Sequence, residues 1–403
     1  MASARAAAKR RATAGAPHLR LVRPGEFASQ RPTAAMARRD RVLLLSATAA
    51  LVSIGLVMVL SASSVQAFED YGSSFLFFLR QAAYAAVGAA GLWVASRMRY
   101  QAWKHLCLPL LGVSTALLIL VLIPGLGTVA GGSARWIELG PITIQPSELA
   151  KLAVIAFTSA LLASRWQRLG DPRQLALPLL PVILIVSILI MLQPDMGTTI
   201  IVVAAVGVVL FAAGARMKHL LVGAASLVTL GLGLIFIEGY RWARLISYTD
   251  PFQDPLGTGY QQIQSLTALG SGGVFGLGLG ASRQKFGYLP NAHTDFIYSI
   301  IGEELGLVGA LGVLLLFGLL VYAGVRIALH APDAFGRLLA IGITGWFGIQ
   351  ALTNLGAVTG LLPITGVPLP FVSFGGSALV ISLVAVGVLL SISRTGRRRA
   401  PAD

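Results

Sequence analysis

Ten apolar runs separated by polar turns dominate this sequence, near 42–62, 75–95, 106–124, 149–164, 176–192, 197–214, 220–238, 296–321, 338–357 and 371–393. A helix needs about 20 apolar residues to cross the hydrocarbon core of a bilayer. In lipid every backbone N–H and C=O must find its partner inside the chain, so runs of this length can span only as helices. The sequence therefore predicts an all-α polytopic membrane protein with ten transmembrane helices. Composition agrees: 12% of residues are charged and 56% hydrophobic, where a soluble domain carries roughly 25% charged. The single cysteine, Cys107, lies in an apolar run. It can form no internal disulfide and reads as a small packing residue.

The charges orient the chain. Arg97, Arg99 and Lys104 follow the second run, Arg165, Arg168 and Arg173 the fourth, Arg216 and Lys218 the sixth, and Arg326 and Arg337 the eighth. Both ends of the chain are basic as well. By the positive-inside rule these turns and both termini are cytoplasmic. The formal net charge of +15 is thus topological and gives no reason to expect nucleic acid. Residues 1–41, rich in Ala and Arg, read as a disordered cytoplasmic tail that can lie on anionic membrane lipid. Residues 42–393 form the membrane domain, and 394–403 a second basic tail.

The opposite, extracytoplasmic face receives 125–148, 193–196, 239–295 and 358–370. The segment 239–295, between helices 7 and 8, is too long for a simple helix connection. Its aromatic and apolar content, including Trp242, Tyr248, Phe252 and Tyr260, reads as re-entrant or interfacial helices roofing a cavity. Asp295 ends this loop where an apolar helix begins. A carboxylate there can face water and a lipid-borne substrate together; the plainer reading is a helix cap. Arg135, Arg241, Arg244, Arg283 and Lys285 fall on the same face, against the charge rule. Singly each fits snorkelling or ion pairing; together they read as a cationic rim for an anionic headgroup such as a diphosphate. Glu148 and Lys151, three apart, share a helix face, as a structural ion pair or as a pair that positions substrate. Glu303, two turns beyond Asp295, is expected to pack against a cation such as Arg80 or Lys151. No phosphate-binding Gly-Lys-Ser/Thr loop, His/Cys metal cluster or Gly-x-Ser-x-Gly elbow is present.

Several in-order motifs then resemble one family. They are Gly132-Ser133-Ala134-Arg135-Trp136-Ile137, Ile144 to Lys151 (IQPSELAK), Gln193-Pro194-Asp195-Met196-Gly197-Thr198 and Gly259 to Ser265 (GYQQIQS). Ala292-His293-Thr294-Asp295-Phe296-Ile297, Ile301 to Gly306 (IGEELG) and Ser373-Phe374-Gly375-Gly376-Ser377 complete the set. Across about 42–393 the chain resembles the SEDS proteins (shape, elongation, division and sporulation), which polymerise lipid-linked peptidoglycan precursor. Ala292 to Ile297, the Glu303-Glu304 pair and Gln284-Lys285 are more similar to the division branch than to the elongation branch. Phe374 stands where the family commonly has Tyr.

The resemblance implies a glycosyltransferase acting on lipid II at the outer face of the cytoplasmic membrane, at the division septum. Asp295 falls on the essential acid. Arg135, Glu148, Lys151, Arg244, Gln264, Lys285, Ser373 and Ser377 fall on motif positions or among the outer cations, as candidate substrate-binding residues. A divalent cation, Mg or Mn, can share the diphosphate charge. Implied partners are a class B penicillin-binding protein and activator proteins of the divisome. Two other classes carry separate expectations: a lipid II flippase, and a divisome scaffold with no chemistry of its own.

Overall fold

The computed structural model describes residues 33–130, 133–140, 142–166, 172–223, 225, 229 and 248–395. The described helices are α1 (Ala34–Tyr71), α2 (Leu76–Arg97), α3 (Ala102–Val121), α4 (Pro146–Ser164), α5 (Pro172–Met191) and α6 (Met196–Ala212). After these come α7 (Tyr260–Ser271), α8 (Ile297–Leu329), α9 (Ala334–Val358) and α10 (Gly376–Thr395). Among the described residues 6 helices, α1, α3, α4, α8, α9 and α10, are long and apolar enough to cross a membrane by length and composition. Apart from 220–238, which lies mostly outside the described residues, each apolar run overlaps one of the helices α1 to α6 and α8 to α10.

Small side chains decide which helix is central. Ala150, Ala153 and Ala156 of α4 are fully buried, which lets neighbouring backbones approach closely, as helices in lipid require. α4 packs on α3, α6 and α9, and α9 packs in turn on α6 and α8. α1 and α2 lie against α8 and α10 respectively. Tyr100 donates to Asp333 (2.7 Å), Arg394 to the Ser96 carbonyl (3.0 Å), and Arg326 pairs with Asp40 (2.7 Å). Residues read as cytoplasmic thus meet one another at one end of the bundle.

Three features depart from the expectations. Helix α1 begins at Ala34, inside the stretch read as a tail, because Thr33 caps it and Asp40, 2% exposed, is paired to Arg326. The fold is also not purely helical. A small antiparallel sheet of β1 (Thr128–Ala130), β2 (Ser133–Leu139) and β3 (Ile142–Ile144) occupies the segment after α3. In the backbone register Ile137 pairs with Ile144 and Leu139 with Ile142 across a turn at Gly140, whose φ of 65° suits glycine. The β-branched Ile142, Thr143 and Ile144 favour that pairing.

Third, α8 is broken at Gly306, at φ 67° and ψ −164°. Such a break in an apolar helix survives only if protein satisfies the freed backbone groups. The loop after α7 does so. Leu277 and Gly278 donate to the Glu303 and Glu304 carbonyls (2.9 and 3.0 Å), while Leu307 and Val308 donate to the Gly273 and Val274 carbonyls (3.0 and 3.2 Å). The long loop therefore folds onto the helix that follows it, with α7 packed on α8 and α9.

Candidate functional site

Asp295 lies in a tight turn that begins at Asn291, whose φ of 58° is one that Asn tolerates. Thr294 and Phe296 both donate back to the Asn291 carbonyl (3.1 and 3.3 Å). Phe296, not Asp295, occupies the cap position of α8. Three successive carbonyls of the turn are each gripped from outside. The Phe374 amide donates to His293 (2.9 Å), the Ser373 hydroxyl to Thr294 (2.6 Å), and the Asn354 amide to Asp295 (2.7 Å). The Asp295 side chain, half-buried, faces Gly366: a methyl added there would lie 3.6 Å from its Oδ2. The carboxylate is thus held at the meeting of the turn, α9 and the loop 363–375.

Beneath this loop runs a chain of buried polar groups. Lys151 Nζ is 2.8 Å from Glu148 Oε1 and 4.9 Å from the centre of the Trp346 ring. It also donates to Gln350 Oε1 (2.8 Å), which accepts Trp346 Nε1 as well (2.7 Å). Gln350 Nε2 donates to the Pro368 carbonyl (2.9 Å), and Asn354 Nδ2 to that of Val367 (2.8 Å). All five side chains are at most 2% exposed. Glu148 sits in the first turn of α4, where the helix dipole favours a carboxylate.

Ser373, Ser377, Arg135 and Lys285 have found protein partners. Ser373 accepts from the Leu369 amide (2.8 Å) while it donates to Thr294, so it staples the loop to the turn. Ser377 accepts from the Gln145 amide (3.0 Å) at the start of α4. Gln264 is half-buried on α7. Arg135 clamps the end of α5, donating to the Gln193 (3.0 Å) and Pro194 (2.6 Å) carbonyls. Lys285, 8% exposed, turns inward to Glu304 (3.6 Å) and the Gly280 carbonyl (2.6 Å). Arg241 and Arg244 lie outside the described residues. The continuous cationic rim is therefore corrected for the described residues: Arg283 is exposed, but Lys285 and Arg135 reach nearer acceptors.

Glu303 is also placed differently. It binds the Ser282 hydroxyl and the Arg283 amide (2.9 Å), tying down the loop before Asp295. The cation nearby is Lys285, through Glu304; Arg80 is exposed on α2, and Lys151 is engaged with Glu148. Among the described residues no group of three His, Cys, Asp or Glu side chains converges.

A family model described as "Cell cycle protein", covering FtsW, RodA and SpoVE, matches residues 41–398. The chain belongs to the FtsW/RodA/SpoVE family. Stage V sporulation protein E of Bacillus subtilis is 45% identical over 360 residues, 88% of this chain and 97% of that protein. A probable peptidoglycan glycosyltransferase FtsW of Trichlorobacter lovleyi is 45% identical over 366 residues, 91% of this chain and 96% of that one. Among solved structures, a chain of a peptidoglycan synthase complex that coordinates polymerization and crosslinking superimposes with TM-score 0.73. It is 33% identical and covers 88% of this chain and 98% of that chain. The rod shape determining protein RodA of Thermus thermophilus gives TM-score 0.65 at 31% identity, covering 88% and 97%.

In this member of the FtsW/RodA/SpoVE family, Gln81, His293, Gln350 and Asn354 also frame Asp295, and sequence reading passed over them as candidates. Gln81 of α2 bridges the Ser373 carbonyl (3.1 Å) and the Gly375 amide (3.2 Å). His293 lies between Phe77 and Phe374, with ring centroids 5.0 and 5.6 Å away. Burial pushes its pKa down to about 4, so it is neutral at pH 7. Phe374, which lacks the common tyrosine hydroxyl, serves here as an aromatic wall. Gln350 and Asn354 did carry a signal: two amides four apart in an apolar run lie on one face and are costly unless bonded.

Proposed function

We propose that this chain is a peptidoglycan glycosyltransferase that polymerises lipid II at the outer face of the cytoplasmic membrane, with Asp295 as general base. In this reading ten helices cross the membrane, both termini are cytoplasmic, and the loop between helices 7 and 8 is extracytoplasmic. Septal action during division is part of the same proposal.

The observation that carries it is the half-buried Asp295 carboxylate on a turn gripped at three consecutive carbonyls. A base must keep hydrogen-bond reach to the proton it takes, and a fixed backbone gives that reach. Asp295 removes the proton from the 4-hydroxyl of the acceptor GlcNAc. That oxygen attacks C1 of the donor MurNAc as the bond from C1 to the undecaprenyl diphosphate oxygen breaks. The diphosphate departs with the bonding electrons, and the anomeric centre inverts from α to β. Such base catalysis contributes about 10²–10⁴-fold. Cations stabilise the departing charge; Arg244 is the proposed contributor, with Arg283 exposed on the same loop. Gln264 is proposed to line the substrate groove. A class B penicillin-binding protein as partner accords with the synthase complex the chain superimposes on.

Purified protein given lipid II, alone and with such a partner, tests the reading. Glycan chains resolved on a gel are expected. Headgroup movement across liposomes with no polymer under either condition would overturn it in favour of a flippase.

A further inference from the structure

The Glu148–Lys151 pair and the turn that carries Asp295 are joined through one face of α9. Asn354 spends both of its amide hydrogens on carbonyls from different segments: Asp295 at 2.7 Å and Val367 at 2.8 Å. The carboxylate faces Gly366, the neighbour of Val367. Asn354 therefore sets the width of the slot in which the carboxylate sits. Its Oδ1 is buried without a partner, a net cost to stability for a side chain whose donors do nothing else. One turn earlier Gln350 repeats the arrangement. Its Oε1 receives Lys151 and Trp346, so its Nε2 must point to the Pro368 carbonyl. The Lys151 ammonium thus dictates which way the amide faces, and the Glu148 carboxylate holds that ammonium.

We propose that Asn354 is a positioning residue for Asp295, and that Gln350 is the joint through which the buried Glu148–Lys151 pair bears on the same loop. The proposal rests on the reading of Asp295 as the base. Misplacing a reacting group by about 1 Å can cost roughly 10²-fold in rate, and a side chain spanning both walls of the slot controls such a displacement.

The test uses full-length protein with two readouts, lipid II polymerisation kinetics and amide hydrogen exchange. Asn354→Leu keeps the branching of the side chain and removes the donor. Asn354→Asp keeps the shape and removes the amide donor. Both are expected to lower kcat at least about tenfold with KM within about twofold, and to speed exchange of the amides in 293–296 while the rest of α8 and α9 stays protected. Gln350→Met is expected to move both readouts the same way by less. Unchanged kcat, or unchanged exchange in the turn, overturns the proposal. Loss of protection along the whole of α9 in both Asn354 variants also overturns it, since that marks general unfolding. Wild type and Asp295→Asn are run beside them. A wild type that makes no polymer, or a fully active Asp295→Asn, removes the base reading, and the hold of Asn354 on the turn is then decided by exchange alone.

Discussion

Replacing Glu148 by Gln strands a cation inside the bundle. Lys151 is 2% exposed, and its ammonium is left with Gln350 Oε1 and the face of Trp346. Removing one partner of a buried pair costs about 3–5 kcal/mol, chiefly because the other charge stays behind uncompensated. The position sharpens the asymmetry. Glu148 lies in the first turn of α4, where the dipole favours a carboxylate and opposes a cation by up to about 2 kcal/mol in buried geometry. Glu148→Gln should therefore fall at the upper end, about 4–5 kcal/mol, and Lys151→Met lower, about 2–3 kcal/mol. The double variant leaves no charge and should cost less than Glu148→Gln alone. Reversible unfolding in mixed micelles, as a double-mutant cycle, measures all three. Equal single costs below about 1 kcal/mol, or a double cost equal to the sum, would refute the buried-pair argument.

Two further outcomes follow from the same geometry. The folded-state pKa of His293, about 4, lies below the ordinary histidine value of 6.5, so the unfolded chain takes up the proton first and acid favours unfolding between those values. His293→Phe, which keeps the aromatic sandwich, should lose about 2–3 kcal/mol less than wild type between pH 7 and 4.5, as read by denaturation at the two pH values. Gly306→Ala places a methyl 2.3 Å from the Gly276 nitrogen and 2.5 Å from the Val274 oxygen at a φ of 67°. A destabilisation above about 3 kcal/mol is expected, and wild-type stability in that variant would contradict the account of the break in α8.

Helix positions among the described residues were legible because lipid forces a simple rule on the backbone, and every run from 42–62 through 371–393 except 220–238 obeys it. The break at Gly306 was not, because its freed carbonyls are satisfied by Leu277 and Gly278, partners that only the folded loop brings near. The sheet at 128–144 was missed for a related reason: its strands are too short for their alternation to stand out. At the site, residue types gave Asp295 and the Glu148–Lys151 spacing. They did not give direction. Lys285 and Arg135 look like surface cations in sequence, yet each turns toward a neighbouring acceptor. Ser373 and Ser377 look like ligand hydroxyls and bind backbone. Side-chain direction depends on tertiary partners, so a charge count could not resolve it.

The proposed chemistry turns on one carboxylate, and the rate of glycan growth on purified lipid II reads its contribution. Asp295→Asn preserves the shape of the side chain and leaves the three carbonyls of its turn bonded. A loss of at least about 10²-fold in polymerisation with unchanged folding is expected. Polymer formed by Asp295→Asn at the wild-type rate would contradict it.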